Sequence, residues 1–343
     1  MQKIKQLTVL TANQCTAACS HCSMNSSPQR TERLSFSGIQ RVLDQLVDCG
    51  SKPKVVIFAG GEPTLLKSEL LDSLAYCSTL GIATRMVTNA SWAITESAAA
   101  RHIESFRLAG LNEINFSADD FHLPYIPFMR VANAWRASKG KGFRSVVIAN
   151  CLGGATYLTP SRIMEFLQET ITTIYDDDGF ADVDVAPAAD GTKYLLSNAR
   201  LQRLGRGANI DDASLLFPEQ DALDIPCPWA ISSAALSAEG HLVACCGTEA
   251  HGNEFLDFGN ALSDPVTDLL EVASNRLVVQ AIRKFGPLFL LRFARQLDAS
   301  LPADGRFASV CEICENVIHN AQVRNALRNN IHELQPLLEE EPQ

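Results

Sequence analysis

The sequence predicts an α/β fold: a parallel sheet from six strand–helix units over residues 1–210, then a smaller α+β module over 211–330 and a tail over 331–343. Three observations predict it. Short apolar runs alternate with amphipathic stretches through the first half, Ser or Thr stands near several helix starts, and near residue 210 the texture changes to short segments rich in turn residues. Strand followed by helix, repeated, builds a parallel sheet, and six units fall short of a closed eightfold barrel.

Strands are expected at 6–13 (QLTVLTAN), 54–59 (KVVIFA), 83–89 (ATRMVTN), 113–118 (EINFSA), 145–150 (SVVIAN) and 181–186 (ADVDVA). Helical patterns over 35–49, 66–80, 95–109, 125–139 and 160–173 fill the gaps. Polar and Gly-rich residues follow the strands, where loops at the C-terminal edge of a parallel sheet build active sites. Beyond 210, "FPEQDALDIPCPW", "SAEGHLVACCG" and "FLDFGNALSDP" precede a long helical region. Within it, 276–297 is apolar and basic; Gly286-Pro287 interrupts it, which favours helices packed on the module over a membrane-surface helix. The tail "ELQPLLEEEPQ" is expected to fray.

Composition limits the partners. The chain of 343 residues carries a net charge of -10, which repels phosphate backbones and anionic lipid, so nucleic acid and basic membrane patches are set aside in favour of a peptide or small-molecule substrate. The N-terminus lacks the features of a signal peptide and no apolar run reaches membrane-spanning length, so a cytoplasmic location is expected. Eleven cysteines in a reducing compartment favour metal ligation over disulfides, and most are clustered. Cys49, Cys77 and Cys151 stand apart in apolar patterns and are expected to pack as small hydrophobes.

Three cysteines at 15, 19 and 22 ("CTAACSHC") follow the first strand. A structural zinc needs four ligands, and neither His21 nor a neighbour makes a familiar fourth; an iron–sulfur cube on three cysteines leaves one iron open; thiolates suit either metal. After the second strand comes "FAGGEPTL", in which Gly60 and Gly61 let the backbone approach a ligand and the Glu62 carboxylate can accept hydrogen bonds from an ammonium group. Alone, Gly-Gly after a strand is also an ordinary tight turn. A third set, Cys227, Cys245 and Cys311-x2-Cys314, supplies four thiols that would equally make a closed zinc site.

The C-x3-C-x2-C loop behind the first strand, with "GGEP" behind the second, resembles the radical S-adenosylmethionine (SAM) superfamily. The resemblance implies a partial (β/α)6 TIM-like barrel and a [4Fe–4S] cluster on Cys15, Cys19 and Cys22 whose open iron binds SAM. It implies SAM-amino-group contacts from Gly60, Gly61, Glu62 and Pro63, and contacts to SAM from the strand-end residues Asn89, Ser117 and Asp119. His21 stands where the family usually has an aromatic residue. His122 is read as either a substrate-facing acid–base group or a solvated loop histidine, and "RLGRGAN" at 203–209 is similar to the segment that ends the barrel in many relatives. An external one-electron donor such as a flavodoxin or ferredoxin is implied as partner.

The later cysteines, with Gly240 in a G-x4-C turn and "FGN" at 258–260, resemble the twitch/SPASM-like auxiliary module, which implies a second [4Fe–4S] cluster on Cys227, Cys245, Cys311 and Cys314. Cys246 is then left over as a hydrogen-atom donor, a packed thiol, or a substitute for Cys245. The tandem Cys245-Cys246, "RKFG" and the late C-x2-C together resemble epipeptide-type peptide epimerases, which implies L-to-D epimerisation of a ribosomally made peptide with Cys246 as donor. Rival expectations are oxidation of a small alcohol or aminocyclitol, peptide crosslinking or thioether formation, and a non-enzymatic iron–sulfur carrier. The first strand begins almost at once, which counts against a leader-guided peptide.

Overall fold

The structure is a computed structural model that describes residues 3–176, 185–247, 250–301 and 305–339. Five parallel strands come first: β1 (Gln6–Leu10), β2 (Val55–Ala59), β3 (Ala83–Thr88), β4 (Glu113–Ser117) and β5 (Ser145–Leu152). Helices α1 (Phe36–Asp48), α2 (Ser68–Thr79), α3 (Glu96–Leu108) and α4 (Phe128–Ser138) connect them. Each element has a local cause. In α1 the Ser35 hydroxyl caps the first turn by accepting from Gly38 N, and Ile39, Val42, Leu43 and Leu46 line one buried face at helical spacing. β2 is apolar throughout, as a strand covered on both faces should be.

The expected helix over 160–173 stops early. Helix α5 (Pro160–Leu167) ends because Gln168 adopts the left-handed conformation, φ 57°, and the β-branched run that follows becomes strand β6 (Thr172–Asp176). Strand β7 (Lys193–Arg200) then pairs in parallel with both β5 and β6. Of the strand expected over 181–186, residues 181–184 lie outside the described residues, and 185–186 form no strand.

Past residue 210, β8 (Ser233–Leu236) pairs in parallel with the other side of β1, and β9 (His241–Val243) and β10 (Asp257–Asn260) continue antiparallel. The described strands therefore form one sheet in the order β10-β9-β8-β1-β2-β3-β4-β5-β7-β6. The second module is joined to the first through β1, the strand that leads into the Cys15–Cys22 loop.

Helices α6 (Val266–Asn275), α7 (Leu277–Lys284), α8 (Pro287–Leu297), α9 (Val310–His319) and α10 (Ala321–Asn329) cover this end. The apolar, basic stretch is split at Gly286, φ 93°, and buries Val278, Val279, Ile282, Leu290 and Leu291 in the main core. Among the described residues no helix is long and apolar enough to cross a membrane. The expected fraying of the tail is not what the described part shows: helix α11 (Leu334–Glu339) buries Leu334, and Lys284 Nζ donates to Leu338 O at 2.9 Å. Of the unclustered cysteines, Cys77 is fully buried in the core, and Cys49 and Cys151 are half-buried against apolar clusters.

Candidate active site

The Cys15–Cys22 loop leaves the C-terminal end of β1 and folds back on itself. Cys15 N donates to Ser27 O at 3.1 Å, Cys22 N to Cys19 O at 3.2 Å and Asn25 N to Cys22 O at 3.3 Å. Cys19 is buried; Cys15 and Cys22 are half-buried. The "GGEP" turn runs alongside. Gly61 N donates to Ala12 O at 2.6 Å and Glu62 N to Gln14 O at 3.0 Å. A Cβ on Gly61 would lie 2.0 Å from Gln14 O, and one on Gly60 2.8 Å from Ala12 O. The close approach expected toward a ligand is thus first an approach to the backbone just ahead of Cys15.

Glu62 is fully buried, and its carboxylate is engaged by the chain itself. Oε1 accepts from Thr64 N (3.2 Å), Thr64 Oγ1 (2.6 Å) and Thr88 Oγ1 (2.8 Å), while Oε2 accepts from Asn89 N at 2.9 Å. Burial pushes its carboxyl above the usual range, and these donors pull it back. Pro63 opens a 3-10 turn (Pro63–Leu66) that Glu62 caps. From the end of β3, the Asn89 side chain turns to the cysteine loop: Nδ2 lies 3.0 Å from Thr16 Oγ1 and 3.5 Å from Cys15 Sγ.

Ser117 ends β4, half-buried. Two residues on, Asp119 is buried and draws two histidines together. Its Oδ1 accepts from Phe121 N and His122 N, both 3.0 Å, and meets His122 Nδ1 at 2.8 Å; Oδ2 lies 3.4 Å from His21 Nε2. Paired with the two histidines, Asp119 has its carboxyl held far below the usual range although burial alone would raise it. Burial lowers the basicity of His122, but Asp119 and the neighbouring Cys19 thiol outweigh it and raise its pKa to about 10. His122 is not a solvated loop residue; it is part of the wall beside Cys19. His21, in the usually aromatic position, stacks on Phe121 with ring centroids 4.4 Å apart. Tyr125 Oη, one turn further, donates to Ala18 O at 2.9 Å.

The three thiols on one short loop, Cys19 buried and Cys15 and Cys22 half-buried, are a donor set that suits an iron–sulfur cluster. Among the described residues, two sets place three donor atoms within 4.8 Å of one another: His21, Asp119, His122, and His241, His251, Asp257. Burial pushes the Cys15 thiol up to about 12, so a cationic centre is what would hold it as thiolate. His21 Nδ1 is buried with no partner among the described residues, a polar atom left for a bound group.

Residues 9–167 match the model of the radical SAM superfamily. The chain carries a radical SAM domain. Such a domain implies SAM and a [4Fe–4S] cluster, for which Cys15, Cys19 and Cys22 are the available thiols beside the "GGEP" turn. The cluster, when bound, supplies the electron that splits SAM into methionine and a 5′-deoxyadenosyl radical.

Among relatives, YydG of Bacillus subtilis (strain 168), whose name assigns it to peptide biosynthesis, is 20% identical over 323 residues, 94% of each chain. GTP 3',8-cyclase of Vibrio vulnificus is 32% identical over 124 residues, 34% of each chain. Of solved structures, anSMEcpe with bound AdoMet is 12% identical and aligns over 98% of this chain and 100% of that one with a TM-score of 0.54. With AdoMet and the Cp18Cys peptide it is 11% identical, covering 98% and 99%, with a TM-score of 0.51. These structures match the fold: a parallel-dominated α/β barrel of the radical SAM type.

The C-terminal cysteines sit on different elements. Cys227 N donates to Ile282 O at 3.0 Å, at the end of α7. Cys245 and Cys246 follow β9, after the Gly240 turn, where a Cβ would lie 2.5 Å from Leu262 Cδ1. Cys311 and Cys314 occupy successive turns of α9. Cys227, Cys245 and Cys314 pack half-buried against the main core, while Cys246 and Cys311 are exposed. Asn253 Nδ2 donates to Ile318 O at 3.1 Å, tying the segment after Cys246 to α9.

The segment 203–209, expected only to close the barrel, holds the cysteine loop directly. Arg206 donates from Nη1 to Cys19 O at 2.7 Å and from Nη2 to Ser26 O at 2.6 Å. An arginine between two glycines is the only trace of this in the sequence, and it names no partner.

Proposed function

We propose that this radical SAM enzyme modifies a ribosomally made peptide, converting an L-residue to its D-form, with Cys246 as hydrogen-atom donor. The observation that carries the reading is the YydG alignment, which runs over 94% of both chains and so takes in the C-terminal cysteines as well as the barrel. The exposure of Cys246, next in sequence to the half-buried Cys245, supports it: that residue lies where a substrate can reach it.

In this reading Cys227, Cys245, Cys311 and Cys314 hold a second [4Fe–4S] cluster, and a flavodoxin- or ferredoxin-type protein delivers electrons. Asn89, Ser117 and Asp119 line SAM, with Glu62 holding the turn that meets it. The substrate loses its Cα hydrogen atom to the 5′-deoxyadenosyl radical, giving 5′-deoxyadenosine. The Cys246 S–H returns a hydrogen atom to the opposite face, and the sulfur-centred radical left behind takes one electron and one proton to regenerate the thiol. A weak S–H bond makes cysteine suited to this task.

Mass spectrometry of product made in deuterated water tests it. Epimerisation adds one deuterium and changes nothing else, whereas oxidation, crosslinking or thioether formation removes two hydrogens. Cys246→Ala should still form 5′-deoxyadenosine but no deuterated epimer. Unchanged deuterium uptake in that variant overturns the donor assignment, and a loss of two hydrogens in the wild-type product overturns epimerisation.

A further inference from the structure

Five residues connect the two ends of the enzyme that bear cysteines. On one side, Arg206 donates from its backbone N to Cys22 O at 3.0 Å, from Nη1 to Cys19 O at 2.7 Å and from Nη2 to Ser26 O at 2.6 Å. Gly205 lies so close to the same loop, at φ 54°, that a Cβ there would be 2.2 Å from Ser23 O. On the other side, Arg203 pairs through Nε with the Oε1 of Glu312, one of the two residues between Cys311 and Cys314. Arg203 Nη2 also donates to Arg306 O at 2.6 Å, and Gln202 Oε1 accepts from Ser309 Oγ, the cap of α9, at 2.9 Å.

Glu312 is itself held in place. It is 5% exposed, its Oε2 accepts from Ala308 N at 2.6 Å, and its N–H is capped by Ser309 Oγ at 3.1 Å. Arg203 also pairs through Nη1 with the exposed Asp212 Oδ1 at 2.7 Å, but Glu312 is the buried partner, and loss of Arg203 would leave its carboxylate without a cation. Between Arg203 and Arg206 the backbone spans at most about 11 Å, so the connection is short and has little slack.

We infer that Gln202–Arg206 is a strap coupling the two cysteine groups: the state of Cys311 and Cys314 sets the position of the Cys19–Ser26 backbone through Glu312, Arg203 and Arg206. Arg203 and Arg206 are positioning residues. Hydrogen bonds to groups beside a cluster's ligands tune its potential, so the strap makes the SAM-binding cluster sensitive to the C-terminal site. The inference rests on reading Cys311 and Cys314 as metal ligands.

Two measurements on the anaerobically loaded enzyme test it. Arg203→Leu, which removes the pairing with Glu312, should speed amide hydrogen exchange across residues 19–26 by about tenfold or more, although Arg203 has no bond to that stretch. Arg206→Leu should do at least as much. The second is a double-mutant cycle on the midpoint potential of the SAM-binding cluster, read by its reduced-state paramagnetic resonance signal. Cys311→Ser with Cys314→Ser should shift that potential when Arg203 is present and leave it unmoved in Arg203→Leu. Unchanged exchange in Arg203→Leu, or equal shifts in both backgrounds, overturns the strap. Iron content separates the underlying reading: about eight irons per chain support the second cluster, and about four overturn it while the exchange result still decides the strap.

Discussion

The carboxylate of Glu62 accepts the backbone N–H of Asn89 at 2.9 Å, and the same Asn89 extends its side-chain amide to within 3.5 Å of Cys15 Sγ. The turn after β2 thereby fixes the end of β3, which in turn supports the cysteine loop after β1. Three consecutive strand ends are bound into one unit by a single buried acid.

Glu62→Gln tests that relationship. An amide keeps one acceptor oxygen, so it serves the three donors at Oε1 but turns an NH2 group toward Asn89 N, two donors facing each other in a buried site. We expect a loss of about 2 kcal/mol in urea unfolding, with SAM binding weakened in parallel. A stability equal to wild type would mean that the acid does not organise the strand ends.

Gly61→Ala should be worse at the site than in the fold. Its Cβ would lie 2.0 Å from Gln14 O, a backbone atom one residue from Cys15, so that backbone cannot yield without moving the first thiol. The expected outcome is iron content reduced by the equivalent of the SAM-binding cluster, with the helical circular dichroism retained. Gly50→Ala is the control for strain without a clash: unlike Gly61 it has a positive φ, 72°, but open space around it, so it should cost only backbone strain.

The first five strands were legible because each is a short apolar run feeding a polar turn, and the helices between them carry buried residues at regular spacing. The end of α5 was not, since nothing in Gln168 announces a left-handed residue in the way that glycine would. The cysteine spacing and "GGEP" were visible as local motifs. The partners of Glu62 were not, because Thr88 and Asn89 reach it only through the register of β2 on β3. Likewise Arg206 meets Cys19 across 187 residues of sequence, a contact that only the closed sheet creates.

Cys77 offers a test of the packed-thiol reading. Burial pushes its thiol from the ordinary 9.0 up to about 12, which cuts the thiolate fraction near neutral pH about a thousandfold. Iodoacetamide at pH 8 should therefore leave Cys77 unlabelled in the folded enzyme and label it fully in urea, as read by peptide mass spectrometry. Rapid labelling under native conditions would show that α2 does not seal it.

Asp119 separates two roles that the sequence leaves merged, a contact to SAM and a brace between His21 and His122. Asp119→Asn keeps Oδ1 for Phe121 N, His122 N and His122 Nδ1, and offers an amide N–H to His21 Nε2, which a change of tautomer turns into an acceptor. Asp119→Ala leaves all three Oδ1 donors without a partner in a buried wall. If bracing is the main role, Asn should stay within about 1 kcal/mol of wild type in urea unfolding, and Ala should lose about 2–4 kcal/mol. SAM affinity should follow the same order, nearly intact for Asn and weak for Ala. The opposite pattern, full stability in both variants with affinity lost in both, would make the carboxylate charge itself the SAM contact. It would leave the two histidines positioned by Phe121 stacking and by the Cys19 loop alone.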